Sequence, residues 1–457
     1  MAEADPNSLL RFAIERERGG HVADAENIYR QLLIELPRNS DVPNLLGSIC
    51  AKSERMEEAE TFFRQAVRLN GDFAEYHKNL GAACRRLGKT EEAIAEARQA
   101  IELKPDYAEA QMNLSSALTD ANRHAEATAA MIRAIEIRPD YAEAHYNLAI
   151  QLLLHGDFDR GWKEYEWRTR MKSPLASRIF FQPLWDGGDL RGKTILLWSE
   201  QGLGDVIQFA RYIPRLLERG ANVVLETYMP LARLIQQSMP EIRIVVAGAP
   251  LPGFDVHFPL LSLPAAFGTN LATIFASASY LSVPVETVRT WGRRFAEGNR
   301  SLRVGLAWAG RSTHINDRNR SMPLKQLAPL KDIAGATFYS LQKGPARAQI
   351  AQSAFAGQLI DWTDKLDDFA DTAALIANLD LVITVDTAVA HLAGAVGKPT
   401  WVLLPTPPDW RWLLKRSDSP WYPTMQLFRQ DRAGDWDGVI AGVLEALRRE
   451  LGSRPAD

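Results

Sequence analysis

The sequence predicts an α + α/β chain: an all-helical repeat superhelix followed by a body of two Rossmann-like units. Three observations lead there. Residue types recur every 34 positions through the first third of the chain. From Lys193 onward, short apolar runs alternate with helix-patterned stretches. Two of those runs end in small polar turns, GLGD at 202–205 and DTAVAH at 386–391, each leading into a helix pattern. At 457 residues the chain is too long for one ordinary domain, and a hydrophobic content of 46% is enough for real cores. The formal net charge of −3 gives no global basic field, so nucleic acid is not an expected partner and any anion site has to be local.

The repeat is read from several positions at once. Phe73, Tyr107 and Tyr141 are 34 apart, as are Leu80, Leu114 and Leu148. Ala25, Ala59, Ala93 and Ala127 keep the same step, with Gly161 next; Pro37, Pro105 and Pro139 close repeats, and Gly71 stands in between. This pattern resembles the tetratricopeptide repeat, a helix-turn-helix unit of ~34 residues. Small residues at Gly47, Gly81, Ser115 and the Ala25 series let paired helices approach, and the prolines end the second helix of a pair. One pair cannot bury its apolar face, so pairs stack into a superhelix, predicted over residues 1–170. The resemblance implies a peptide partner on the concave surface and makes self-association into a homo-oligomer an expectation. Asn79, Asn113 and Asn147 form a ladder just before the repeated leucines. An amide both donates and accepts, so this ladder is a candidate grip on a peptide backbone, although asparagine is also a common filler of the repeat. Cys50 and Cys84 are themselves 34 apart and read as packing positions rather than redox or metal chemistry. His77, His124, His145 and His155 have no metal-like spacing. Gly161, Trp162, Tyr165 and Trp167 read as an aromatic end to the array, and residues 171–192 as a connector.

The α/β rhythm follows. TILLW, NVVLETY and IRIVVAG read as strands between helices, then FDVHFP as an edge-like strand, within a first unit over 193–298. LRVGLAWAG, ATFYSLQ, LVITVD and PTWVLLP read as strands of a second unit over 299–457, which ends in a helix. Two such units leave a cleft between the C-terminal ends of their strands.

The chemistry is predicted at that cleft. A buried strand ends at Asp386, and a helix opens at Thr387 and Ala388. Free N–H groups and the helix dipole make such an opening an anion site. The Thr387 hydroxyl adds a donor, and His391 lies one turn on along the same face, a set suited to a diphosphate. Arg311, His314, Arg318, Arg320 and Lys325 read as a positive loop facing a leaving diphosphate, in place of a metal ion. Gln342 and Lys343 follow another strand and are candidates to hold base, sugar or phosphate. GLGD is neither a dinucleotide fingerprint, because Ile207 stands where the third glycine would be, nor a Walker A loop. Gly202 and Gly204 would let an acceptor approach the backbone, and Asp205 reads as a base at the cleft wall or as a helix cap. His257 is a candidate to orient the acceptor or assist Asp205. Trp410 and Trp412 read either as stacking platforms or as core plugs.

VDTAVAHLAGAVGKPT and GLGD together resemble the motifs of heptosyltransferase-like enzymes of the GT-B fold. GLAWAGRSTHINDRNRS and FYSLQKG resemble the variant found in bacterial proteins that join such a transferase to tetratricopeptide repeats. The resemblance implies that Asp205 is the base activating an acceptor hydroxyl, and that the acceptor is a protein, flagellins included. The resulting expectation is a glycosyltransferase that needs no metal and no cofactor. Its co-substrate is a nucleotide-activated sugar of unnamed base. Two alternatives stand beside it: an enzyme acting on lipopolysaccharide, and a non-catalytic adaptor with a decayed transferase body. No N-terminal signal peptide and no apolar run of membrane-spanning length is read, so a cytoplasmic protein without a transmembrane segment is expected.

Overall fold

The structure is a computed structural model describing residues 5–171, 178–295, 301–314 and 316–453. The chain divides into two compact units, Met1–Gln151 and Leu152–Asp457. The expected break near residues 298 and 299 lies outside the described residues.

The first unit is helical throughout. Antiparallel pairs are formed by α1 (Pro6–Arg18) with α2 (Val22–Glu35), α3 (Asp41–Lys52) with α4 (Met56–Leu69), α5 (Ala74–Arg86) with α6 (Thr90–Leu103), and α7 (Ala108–Asp120) with α8 (His124–Ile137). The ninth helix, α9, spans Ala142–Leu154. The small positions do what their size allows. A Cβ on Gly47 would stand 2.7 Å from the Phe63 ring, and one on Gly81 3.3 Å from the Ala93 carbonyl oxygen. At the third such position the Ser115 hydroxyl donates to the Ala127 carbonyl at 2.7 Å. Ala25, Ala59, Ala93 and Ala127 are buried in one continuous core. Cys50 and Cys84 are buried free thiols in that core, pushed up by burial to about 11 and about 12, values of packing residues. His77 and His145 each bond the carbonyl six residues back, Gly71 and Pro139, so they brace the turns between repeats.

The second unit starts earlier than residue 170. Helix α10 (Phe158–Tyr165) and the turn Glu166–Arg170 bury Phe158, Trp162, Tyr165 and Arg168 within it. The aromatic set that suggested an end to the array is a core element of the α/β body. Its reason is chemical: the Trp162 indole N–H reaches the Thr269 carbonyl at 2.7 Å, and its ring meets Trp410 edge-on at 5.4 Å.

The body is built from two wholly parallel sheets. β1 (Thr194–Trp198), α11 (Leu203–Phe209), α12 (Ile213–Glu218), β2 (Asn222–Thr227), α13 (Met229–Ser238), β3 (Arg243–Val246) and β4 (Val256–Pro259) give a four-stranded sheet in the order β3-β2-β1-β4. Short helices α14 (Leu263–Ala266) and α15 (Val285–Gly292) follow. Then come β5 (Leu302–Ala307), α16 (Asp317–Arg320), β6 (Ala336–Ser340), β7 (Ile360–Asp361), α17 (Phe369–Ala377), β8 (Leu381–Val385), α18 (Ala388–Ala395), β9 (Thr400–Leu404), β10 (Met425–Arg429) and α19 (Trp436–Gly452). Their six strands run β10-β9-β8-β5-β6-β7. The buried strands are apolar on both faces, as parallel sheets covered by helices require: β8 and β9 expose nothing. Among the described residues no helix is long and apolar enough to cross a membrane.

Candidate functional site

Each sheet reverses its strand order once. The first runs outward from β1 to β3 and returns beside β1 as β4; the second runs outward from β5 to β7 and returns beside β5 as β8. Crevices at the C-terminal ends of strands next to such reversals are where parallel sheets bind ligands. Those ends carry Ser199–Asp205 after β1, Trp308–Gly310 after β5, and Asp386–Thr387 after β8.

The loop after β1 is tied down before it reaches the helix. Ser199 donates both its N–H and its hydroxyl to the Glu226 carbonyl, at 3.1 and 2.9 Å. Glu200 is buried and takes a two-pronged bond from Arg168, at 2.9 and 3.0 Å. Helix α11 starts at Leu203, so Gly202 is its cap and Asp205 its third residue. The Asp205 carboxylate accepts the Gly202 N–H at 2.7 Å, the acidic half of a capping box. Its other oxygen accepts from Arg411, in the turn Trp410–Trp412 of the second sheet's half. Burial pushes the Asp205 carboxyl upward, against the pull of Arg411.

Arg411 is buried and bonded through each of its three side-chain nitrogens. Besides Asp205 it donates Nη1 to Asp409 at 2.9 Å and Nε to Gln208 at 2.5 Å, and it lies over the Trp410 ring at 4.4 Å. Sequence reasoning passed over it. The available signal was a lone cation between two tryptophans, in a polar loop that follows an apolar strand.

The opening of α18 faces this pair. Thr387 is the cap, but its hydroxyl lies 3.3 Å from that of Thr384 and does not cap the helix. The N–H groups of Ala388 and Val389 belong to the first turn, which has no intrahelical acceptor. Arg320 donates to the Asp386 carbonyl at 3.2 Å and lies flat over Gly310, where a Cβ would be 2.6 Å from Nη2. Burial pushes the Asp386 carboxyl up to about 6, helped by the Asp409 charge and opposed by Arg320 and Arg411. His391 is buried too. Its Nδ1 meets the Tyr422 hydroxyl at 2.9 Å, and its ring stacks on Trp412 at 5.4 Å. Burial, and then the charges of Arg411, Arg211 and Arg320, hold this imidazole well below its ordinary value, so it is neutral.

The geometry therefore gathers Asp205, Arg320, Asp386, Thr387, Ala388 and His391 around Arg411. Other expected residues stand elsewhere or are engaged. Gly204 does not lie open to an acceptor: a Cβ there would stand 2.8 Å from His391 Cδ2, so its smallness lets α11 meet α18. Gly202 is the helix cap. His257 sits mid-strand in β4, accepts the Trp198 indole N–H at 3.4 Å and packs on Phe180 at 4.4 Å. The charge acting on it is that of Arg178, not Asp205. All four places on the Gln342 amide are taken by backbone groups of Trp308, Ala309 and Lys343, so it braces β5 to the loop after β6. The Lys343 ammonium donates to the Leu366 carbonyl. Arg311, His314 and Arg318 are exposed, but His314 lies close enough to Asp205 and Asp409 for their charges to act on its ring. Trp410 and Trp412 are core plugs, at 1% and 0% exposure. In the first unit, Asn79 donates to the Asn44 side chain at 2.8 Å and Asn113 to the Lys78 carbonyl at 3.3 Å; Asn147 is half-buried like them. Those two amide donors link neighbouring repeats rather than facing away from them.

Comparison with known proteins fits this geometry. Residues 40–106 and 78–142 match the tetratricopeptide repeat, and residues 363–409 match glycosyltransferase family 9 (heptosyltransferase). The family 9 match spans α17, β8, α18 and β9, the segment that bears Asp386 to His391. A curated relative, protein FlbA of Caulobacter vibrioides, is 28% identical over 328 residues, covering 66% of this chain and 54% of that protein. The chain thus spans about half the length of the curated relative it matches. Among solved structures, the pilus biogenesis factor PilW is 21% identical, with 47% of this chain and 88% of that chain covered at a TM-score of 0.35. MamA of Desulfovibrio magneticus is 17% identical, with 38% and 100% covered at 0.34. The tetratricopeptide match thus lies within residues 40–142, and the glycosyltransferase family 9 match lies within residues 363–409 of the α/β body.

Proposed function

We propose that the body moves a sugar from a nucleotide-activated donor to a hydroxyl of a protein acceptor bound by the repeats, flagellin being one such acceptor. The observation that carries this reading is the contact of Gly204, the neighbour of Asp205 after β1, with Ala388 and His391 at the start of α18, together with the bond of Asp205 to Arg411. A base on one wall and an anion-binding helix end on the other are what glycosyl transfer needs. Asp205 takes the acceptor's hydroxyl proton as that oxygen bonds to the anomeric carbon. The bond from that carbon to the phosphate oxygen breaks, and the nucleotide leaves as an anion. The Ala388 and Val389 N–H groups, Thr387, Arg320 and Arg411 stabilise that charge, without a metal ion. A neutral His391 serves as a packing wedge and single hydrogen-bond donor. A nucleotide-sugar donor fits a reaction in the cytoplasm.

The repeats favour a protein over a glycolipid as acceptor, because a sugar acceptor needs no peptide-binding superhelix.

The test is transfer from UDP-, GDP-, ADP- and CMP-linked sugars to purified flagellin and to core lipopolysaccharide, followed by mass spectrometry. Modified protein, lost in Asp205→Asn, is the expected result. Modified lipopolysaccharide alone would move the acceptor class. Partner binding without turnover, unchanged by Asp205→Asn, would make the chain an adaptor.

A further inference from the structure

The Arg411 guanidinium is bonded to one anion site and lies close enough to a second for its charge to act on Asp386 and His391 there. One is occupied in the structure, by the Asp205 carboxylate. The other is the opening of α18: Gly204, the neighbour of Asp205 in the chain, lies against Ala388, whose Cα is 3.5 Å from where a Gly204 Cβ would be. Trp412, next to Arg411, stacks on His391 of the same helix. Because the guanidinium is planar and rigid, Nη2 leaves Asp205 only as the whole group pivots, with the Gln208 and Asp409 bonds on Nε and Nη1 flexing alongside. A guanidinium engages carboxylate and phosphate through the same fork geometry.

We propose that Arg411 is a substrate-operated latch: at rest it holds Asp205 in an ion pair, and the donor's phosphates take it over, which frees Asp205 to act as base only when a donor is in place. The proposal rests on the donor-site reading above. It assigns Arg411 two successive partners and orders the reaction, donor before acceptor. Once Arg411 turns away, the part-buried Asp205 carboxylate keeps the Gly202 N–H and loses the cation that opposes its taking a proton.

Competition for one cation has a signature that ordinary charge effects lack. The experiment is calorimetric titration of the full chain with inorganic pyrophosphate, a probe without a base, alongside UDP, GDP, ADP and CDP. The proteins are wild type, Arg411→Gln, Asp205→Asn and the double variant, each checked by thermal unfolding. Arg411→Gln should weaken pyrophosphate binding by about tenfold or more. Asp205→Asn should tighten it by about tenfold, because the latch is already released. In the Arg411→Gln background, Asp205→Asn should change binding by less than about threefold, since there is no latch to release. If Arg411→Gln does not fold, Arg411→Met replaces it, keeping an unbranched stem without the charge, and the same non-additivity is expected.

Equal tightening by Asp205→Asn with and without Arg411 would reduce the effect to relief of negative charge and overturn the latch. So would unchanged or weaker binding in Asp205→Asn. Either outcome leaves the donor site intact, because the wild-type protein still binds. Failure of pyrophosphate and all four nucleotides to bind wild type would remove the donor-site reading and the latch together.

Discussion

Gly204 and His391 touch across the two halves of the body: a Cβ on the glycine would stand 2.8 Å from Cδ2 of the imidazole. The imidazole cannot retreat, because Trp412 stacks on its face and Tyr422 bonds Nδ1. Gly204→Ala should therefore force α11 and α18 apart and cost about 1–3 kcal/mol. Gly202→Ala meets only the end of the Asp205 side chain, at 3.2 Å, and should cost less. Urea unfolding of both variants checks the ranking. A Gly204→Ala midpoint equal to wild type would show that the two helices are not in contact.

Asp386 gives the body a pH-dependent stability. Its folded-state carboxyl is pushed up to about 6, by burial first and Asp409 second, from an ordinary value near 3.8. A raised carboxyl favours the folded state while protonated, and that contribution is lost as pH rises through the folded value. Asp386→Asn should thus be the more stable protein at pH 7.5, by about 2–3 kcal/mol. The advantage should shrink as pH falls from about 6 and vanish near 3.8. Denaturation at several pH values reads it directly, and a difference that stays constant from pH 7.5 to 4 would contradict the assignment.

How far the sequence discloses this protein depends on the range of each contact. The repeats are legible because their period is local: Gly47, Gly81 and Ser115 each meet the next helix of the chain 12 to 16 residues on, at Phe63, Ala93 and Ala127. The parallel strands and the α18 opening are legible because an apolar run followed by a capped helix is also local. Asp205 was legible as an acid, but its place as third residue of α11 was not, since the helix starts at Leu203 rather than after the aspartate. Arg411 was not legible, because its bond to Asp205 joins positions 206 apart in the chain. Gln342 misled for the same reason. An amide at the end of a strand looks available until the backbone of a neighbouring strand, Trp308 and Ala309, arrives to fill it.

That brace makes its own prediction. Gln342 accepts two N–H groups with Oε1 and donates through Nε2 to two carbonyls, those of Ala309 and Lys343. Gln342→Glu keeps the acceptor and turns a carboxylate oxygen toward both carbonyls. The change should destabilise the body by about 2–3 kcal/mol, the cost of buried groups left without partners. Gln342→Met, similar in volume, should lose less, because it brings no charge. Melting temperatures separate the two; a Gln342→Glu protein as stable as wild type, with nucleotide affinity lost instead, would return this residue to the donor site.

The most direct test of the domain division is where a fragment can begin. Within the second unit, Trp162 is buried against Trp410 and bonds the Thr269 carbonyl, while Arg168 neutralises the buried Glu200. A fragment starting at residue 171 would leave the Glu200 carboxylate without its cation and the Trp410 face without its cover. Loss of one partner of a buried ion pair alone costs about 3–5 kcal/mol, comparable with the margin of a whole domain. A fragment of 152–457 should therefore fold cooperatively, and one of 171–457 should aggregate or lack a thermal transition. In the full chain, Trp162→Phe keeps a ring against Trp410 but loses the N–H, and should cost about 1 kcal/mol. Trp162→Ala loses both and should cost about 3–5. Calorimetric scans of the two fragments decide the matter. A 171–457 fragment that melts as sharply as 152–457 would mean that α10 only leans on the body instead of completing its core.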